Sequence, residues 1–220
     1  MKRIRILSVI QSNIFTTTLF FIPLMIVFYC SCNEEAVLKK ESKPEATLQQ
    51  LQKVYGKTVQ RRVIYKAFMH EAEKNRLFSI GKLFRALLRS EEIHSQSHLA
   101  LMQKHNVQPV TQNEEKFIVG NSRQTLKMAL SMEEFAVNSL YPTLIKLADC
   151  EKCAEAVHQF RTVQDAERKH AELLRYALIQ GKEMPLLTYK VCPCCGYLLT
   201  TEEIAECPAC KNGIEKFEEI

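Results

Sequence analysis

The chain of 220 residues has no tryptophan, only six glycines and seven prolines, too few turn-forming residues for the many tight turns of an all-β fold. Long stretches of Ala, Leu, Glu, Lys and Arg, the residues that favour helices, take their place. It also lacks a large excess of charge. The formal balance is +5, and Lys2, Arg3 and Arg5 lie in an N-terminal segment marked for removal, which leaves +2. Nucleic acid is therefore not a default partner, and the mixed charges along the helices read as solvated faces. At 46% apolar residues the chain can still bury one good-sized core and a small appendage.

The N-terminal segment stands apart from the fold. A basic start, Met1 to Arg5, leads into an apolar stretch ending Leu19-Phe20-Phe21-Ile22-Pro23-Leu24-Met25-Ile26-Val27-Phe28, followed by Tyr29, Cys30, Ser31 and Cys32. This order of basic, apolar and small residues is that of an export signal, assigned to residues 1–32. Ser31 before Cys32 is the step of a bacterial lipoprotein cleavage site, with Cys32 as the lipidated residue, although Tyr29 departs from the usual small or aliphatic residue. An uncleaved anchor is the alternative, against which the apolar run of about 15 residues is short for a membrane span. Either reading places the rest of the chain outside the cytoplasm, in the cell envelope or periplasm, and the first holds it to the membrane by lipid on Cys32. Residues 33–47 form a polar tether.

What the sequence has most distinctively is a pattern that occurs twice. Phe84-Arg85, five residues, Glu91, two residues, His94 returns as Phe160-Arg161, five residues, Glu167, two residues, His170, 76 positions later. Tyr65 and Tyr141 precede the two glutamates by the same 26 residues. Glu and His at i and i+3 project from one helix face, and here that face carries Ile80, Leu83, Leu87 and Leu101 in the first copy and Phe160, Val163 and Leu174 in the second. A carboxylate aimed into a core costs several kcal/mol unless something neutralises it. Two inward Glu-x-x-His pairs are a ligand set for a two-metal carboxylate centre in a helical bundle. The competing reading is a polar patch satisfied by Arg or Lys.

Four helical segments are expected over residues 48–181: about Leu48 to Asn75, a second ending near His105, a third opening at the cap candidate Asn121-Ser122 and kinked by Pro142, and a fourth from about Ala154 to Gln180. Short, long and short connections suit a four-helix bundle with one crossover. After a linker at 182–189, residues 190–220 hold Cys192-Pro193-Cys194-Cys195-Gly196 and Cys207-Pro208-Ala209-Cys210. Two Cys-x-x-Cys knuckles can close a tetrahedral four-sulfur site, and the spacing selects Cys192, Cys195, Cys207 and Cys210, with Cys194 surplus. Spacing does not separate iron from zinc at such a site, and two disulfides are the alternative. Cys150 and Cys153 form a further Cys-x-x-Cys, read either as a redox pair or as two unconnected thiols. His98 and His105 read as hydrogen-bonded polar residues.

The paired Glu-x-x-His motifs followed by Cys-Pro-x-Cys-Gly and Cys-Pro-x-Cys resemble rubrerythrin over roughly Leu48 to Phe217, including Tyr141-Pro142 in the third helix. The resemblance implies a mostly α chain: a ferritin-like four-helix bundle followed by a small rubredoxin-like domain. It implies a non-haem di-iron centre reducing hydrogen peroxide, electrons relayed by a thiolate-bound iron, a separate redox partner protein, and head-to-tail homodimers in which one subunit's rubredoxin-like domain lies near the other's di-iron site. Carried over by position, the bundle iron ligands are Glu91, His94, Glu133, Glu167 and His170; the internal repeat points instead to Glu134 for the third helix. Two carboxylates of the family set are missing, since their places hold Thr58 and Ala136. One metal keeps Glu133, His170 and the shared Glu91 and Glu167, whereas the other keeps His94 and the shared pair. The expected function is thus a peroxide-reducing oxidoreductase. Its alternatives are a metal-binding or electron-relay protein with a degenerate bundle site, and a zinc-holding scaffold. Adding the missing carboxylate, Thr58→Glu, is expected to raise bundle metal toward two.

Overall fold

The computed structural model describes residues 43–110, 118–200 and 204–220; the leader, Cys32 and most of the tether lie outside the described residues. Helix α1 is Glu45–Lys74, three residues longer at its start than the sequence suggests, and α2 is Phe78–Lys104. The third bundle helix has three parts: α3, Ser122–Phe135; a single π-helical turn, Ala136–Leu140; and α4, Tyr141–Cys150. Helix α5 is Ala154–Gln180. Asn121 caps α3 with a reciprocal box: its side chain accepts from the Gln124 N–H at 3.1 Å, and the Gln124 side chain accepts from the Asn121 N–H at 2.9 Å. The scarcity of glycine shows at the helix ends, where Arg76, Asn106 and Lys152 take the left-handed conformation that glycine usually supplies. Among the described residues no helix is long and apolar enough to cross a membrane.

Pro142 does not simply kink the helix. Proline has no N–H to offer the carbonyl four residues back, and the π turn immediately before it takes up one extra residue. That insertion explains the conflict between Glu133 and Glu134. Counting back from Tyr141 through a wider turn brings Glu133, not Glu134, to the level of Thr58. Glu133 is fully buried, while Glu134 is only partly buried and paired with Arg175 at 2.8 Å.

The bundle interior is layered. One apolar block gathers Tyr65, Phe68, Leu83, Phe84, Leu126 and Leu174. A second, separate block gathers Leu48, Leu51, Leu101, Met102, Tyr141 and Phe160. Between them each helix turns polar at the same height: Thr58 and Arg61 on α1, Glu91 and His94 on α2, Glu133 on α3, Glu167 and His170 on α5, all buried. Ala136 lies in the second apolar block.

The C-terminal region carries three short antiparallel strands, β1 (Lys190–Val191), β2 (Leu198–Leu199) and β3 (Glu218–Glu219), in the order β2-β1-β3. It packs on the bundle through Tyr189, Val191 and Leu198, which join the first apolar block. Arg89 on α2 clasps Glu218 on β3 with two parallel hydrogen bonds, Nε to Oε2 at 2.6 Å and a terminal nitrogen to Oε1 at 2.7 Å.

Candidate metal centres

In the polar layer Glu91, Glu133, Glu167 and His170 bring one ligand atom each to within 4.8 Å of one another. These four are the set left to the better-supplied metal by the sequence. His94 lies beside them, its ring stacked on that of His170 with centroids 5.8 Å apart. Both imidazoles point Nε2 outward at main-chain carbonyls: His94 to Cys195 O at 3.0 Å and His170 to Gly196 O at 3.4 Å. A carbonyl only accepts, so each Nε2 carries a proton, and Nδ1 is left facing the carboxylates. This outward bond is the arrangement that orients a metal-ligating histidine.

Arg61 stands in the same layer and is the residue the sequence reading missed. One terminal guanidinium nitrogen lies 2.8 Å from Glu91 Oε1, 2.7 Å from Glu167 Oε1 and 3.3 Å from Glu133 Oε2. The signal was present: Arg61 follows Thr58 by three positions and precedes Tyr65 by four, on the buried stripe of α1. The two competing readings of the repeat, metal ligands and an arginine-satisfied patch, therefore meet in one place.

The electrostatics follow from burial against crowded charge. Burial alone would lower the pKa of Arg61, but Glu167, Glu91 and Glu133 hold it well above its ordinary value. Burial and the charge of Glu167 push Glu133 up to about 8. Burial also raises Glu167, yet Arg61, hydrogen bonds with Glu133 and His170, and nearby His94 together keep that carboxyl well below the usual range. Burial lowers His170, but hydrogen bonds to Glu133 and Glu167 carry it up to about 10. The Tyr65 hydroxyl donates to Glu133 Oε1.

Two atoms are left over. Glu91 Oε2 and His94 Nδ1 are buried without hydrogen-bond partners, 3.9 Å apart, and His94 Nδ1 is 3.7 Å from Glu167 Oε1. A lone pair facing carboxylate oxygens in a buried layer calls for a cation, so the residues fit a divalent ion held by Glu91, Glu133, Glu167 and His170 with His94 alongside. They do not fit two. The second position has only Thr58 and Ala136 where carboxylates are needed, and Arg61 already binds the carboxylates that the pair would share.

In the C-terminal module Cys192, Cys195, Cys207 and Cys210 bring their sulfurs within 4.8 Å of one another. The Cys192–Cys210 and Cys195–Cys207 separations are both 3.5 Å, far beyond a disulfide bond of about 2.05 Å. The knuckles match: Gly196 N donates to Cys192 O at 2.8 Å, Lys211 N to Cys207 O at 3.0 Å, and both Gly196 and Lys211 have positive φ. Cys194 is exposed and outside the cluster. Cys150 and Cys153 are free thiols, one exposed and one buried. His98 is buried, with Nδ1 3.1 Å from Gln159 Oε1.

The two centres touch. Gly196 has no room for a side chain, since a Cβ would stand 2.4 Å from Ser90 Oγ and 2.8 Å from His94 Nε2. Ser90 Oγ donates to Gly196 O at 2.6 Å. Beside this junction a cleft of about 410 Å³ opens to solvent, with His94, Gln159, Cys194, Cys195 and Cys210 among its lining.

Comparison with known proteins agrees with this picture. The rubrerythrin family profile matches residues 58–178, more than half of the chain. The chain is 28% identical over 171 residues to rubrerythrin-2 of Clostridium acetobutylicum, covering 76% of this chain and 93% of that protein. It is 28% identical over 159 residues to nigerythrin of Nitratidesulfovibrio vulgaris, covering 70% of this chain and 76% of that one. A partially reduced nigerythrin structure superposes with a TM-score of 0.73 at 25% identity, over 79% of this chain and 86% of that chain.

Proposed function

Because the chain belongs to the rubrerythrin family, we propose that it is an iron oxidoreductase whose four-cysteine centre exchanges electrons with the bundle centre, with hydrogen peroxide as the terminal oxidant. The observation that carries this reading is the 3.0 Å hydrogen bond from His94 Nε2 to the carbonyl of Cys195. Cys192, Cys195, Cys207 and Cys210 would hold one iron, and the bundle residues would hold metal beside Arg61. These ions supply one-electron redox chemistry that no side chain here provides. The chain's own residues supply the rest. Cys195 links a thiolate ligand to a histidine of the other centre through its main chain. Ser90 fixes the Gly196 carbonyl, which keeps that link short. Tyr65 holds a proton against Glu133, and the cleft beside His94 gives a small polar oxidant a way in. Reducing peroxide to two waters consumes two electrons and two protons.

The test is rapid mixing of the anaerobically reduced full chain with one equivalent of hydrogen peroxide. Thiolate-to-iron absorption should return quickly in the native protein and slowly in the Glu91→Ala, Glu167→Ala double variant. A native rate equal to the variant's would leave the second reading, an electron-relay protein without peroxide chemistry. Arg61 among the carboxylates favours that alternative, because it occupies part of the family's two-metal site.

Two further elements belong to this proposal. The mature protein works in the cell envelope, anchored through lipid on Cys32; Cys32→Ala should change its mass and release it from membranes, and unchanged fractionation would remove this element. It also assembles as a homodimer, which light scattering of the full chain tests directly.

A further inference from the structure

We propose that the bundle centre is a one-metal site in which the Arg61 guanidinium is the built-in second cation. This deepens the reading of the bundle as a metal centre and does not depend on the oxidant. The geometry is direct. A single guanidinium nitrogen binds an oxygen of each of the three buried carboxylates, Glu91, Glu133 and Glu167, at 2.8, 3.3 and 2.7 Å. Glu91 and Glu167 are the carboxylates that a metal pair would share, so Arg61 stands where the second ion would need them.

Charge gives the count. With all three carboxylates ionised and both imidazoles neutral, as metal ligation requires, three carboxylates and one guanidinium leave two net negative charges in the buried layer, which is what one divalent ion neutralises. Two divalent ions beside Arg61 would leave a double positive charge out of contact with water, a state that buried sites do not sustain without added anions. Arginine does not lose its proton to relieve this, because its charge persists at all ordinary pH. The unsatisfied atoms agree with one ion rather than none: Glu91 Oε2 and His94 Nδ1 are both buried and unpartnered, and Arg61 does not reach either.

The two positions are neighbours on α1. Thr58 stands where the resemblance expects a carboxylate, and Arg61 follows one turn later on the same buried stripe. Thr58→Glu alone should therefore pair with Arg61 instead of recruiting metal, contrary to the expectation drawn from the sequence.

The experiment loads the full chain with Mn(II), an ion that favours carboxylate and imidazole over thiolate, and reads bound manganese per chain together with its electron paramagnetic resonance. One ion per chain with the six-line signal of an isolated Mn(II) is expected. Two ions with an exchange-coupled spectrum, or no bound ion, would overturn the proposal. The Arg61→Ala, Thr58→Glu double variant should then bind two coupled ions; a folded double variant that still binds one would show that Arg61 does not set the count. Should that variant fail to fold, Thr58→Glu alone decides: one ion supports the proposal and two reject it. The four-cysteine absorption and its response to peroxide are separate readouts, so the oxidoreductase reading and this one fail independently.

Discussion

Gly196 lies so close to His94 that a methyl group on it would stand 2.8 Å from Nε2. One residue thereby completes a thiolate knuckle and seats it on an imidazole of the bundle. Its φ of 76° adds a second requirement, since side chains rarely adopt that conformation.

Gly196→Ala should therefore cost about 2–4 kcal/mol, from the unfavourable backbone together with the clash. Denaturant midpoints measure the loss. Transfer between the centres should slow while the bundle still binds metal. An unchanged midpoint would mean that the module is not docked as described.

Cys195→Ala or Cys207→Ala should abolish the thiolate-to-iron charge-transfer bands of the purified protein. Both residues are buried members of the four-sulfur cluster, and Cys194 is exposed and outside it. A colourless native protein carrying stoichiometric zinc would defeat the relay.

Removing carboxylates from the polar layer has two effects that can be separated. Glu91→Ala or Glu167→Ala should empty the bundle of metal and leave the four-cysteine spectrum intact, because the centres share no ligand. Each also strips Arg61 of a buried partner, and breaking such a pair costs about 3–5 kcal/mol. Adding Arg61→Met to Glu91→Ala should recover part of that stability without restoring metal, which calorimetry and metal analysis read together.

The Arg89–Glu218 clasp makes docking sensitive to acid. Hydrogen bonding to Arg89 holds the Glu218 carboxyl below its ordinary value. A depressed carboxylate contributes stability that is fully present above its unfolded pKa and is lost as pH falls through the folded value. The clasp should therefore weaken only below the ordinary carboxylate range, and Arg89→Ala should remove that acid dependence. Both partners are partly exposed, so salt should weaken it too. Amide exchange in β3 as pH is lowered is the measurement.

The helices and the ligand candidates were legible because burial imposes a period on sequence: a buried stripe on α2 or α5 is readable wherever Leu and Phe recur with Glu and His among them. The choice between Glu133 and Glu134 was not, because the π turn at Ala136–Leu140 adds one residue to the count and only the missing N–H of Pro142 hints at it. Arg61 was passed over because long cations on helices are usually solvated, and its partners come from three other helices, 30, 72 and 106 residues away. The seat of Cys195 on His94 joins positions 101 apart, and no local pattern encodes such a contact. The start of α1 at Glu45 owes something to tertiary structure as well, since Glu151 accepts hydrogen bonds from the N–H groups of Ala46 at 3.1 Å and Thr47 at 2.7 Å.

The layering of the bundle dictates the direction of traffic. With an apolar block above and another below, the polar layer is sealed along the bundle axis like a gasket between two plates. Ions, protons and small molecules then have the sides of the bundle as their approach, and one such side carries the cleft lined by His94 and Cys195. Whatever enters by that cleft passes the edge of the four-cysteine cluster on its way to His94. On the proposed function, crowding that flank should slow the supply of electrons and of oxidant together.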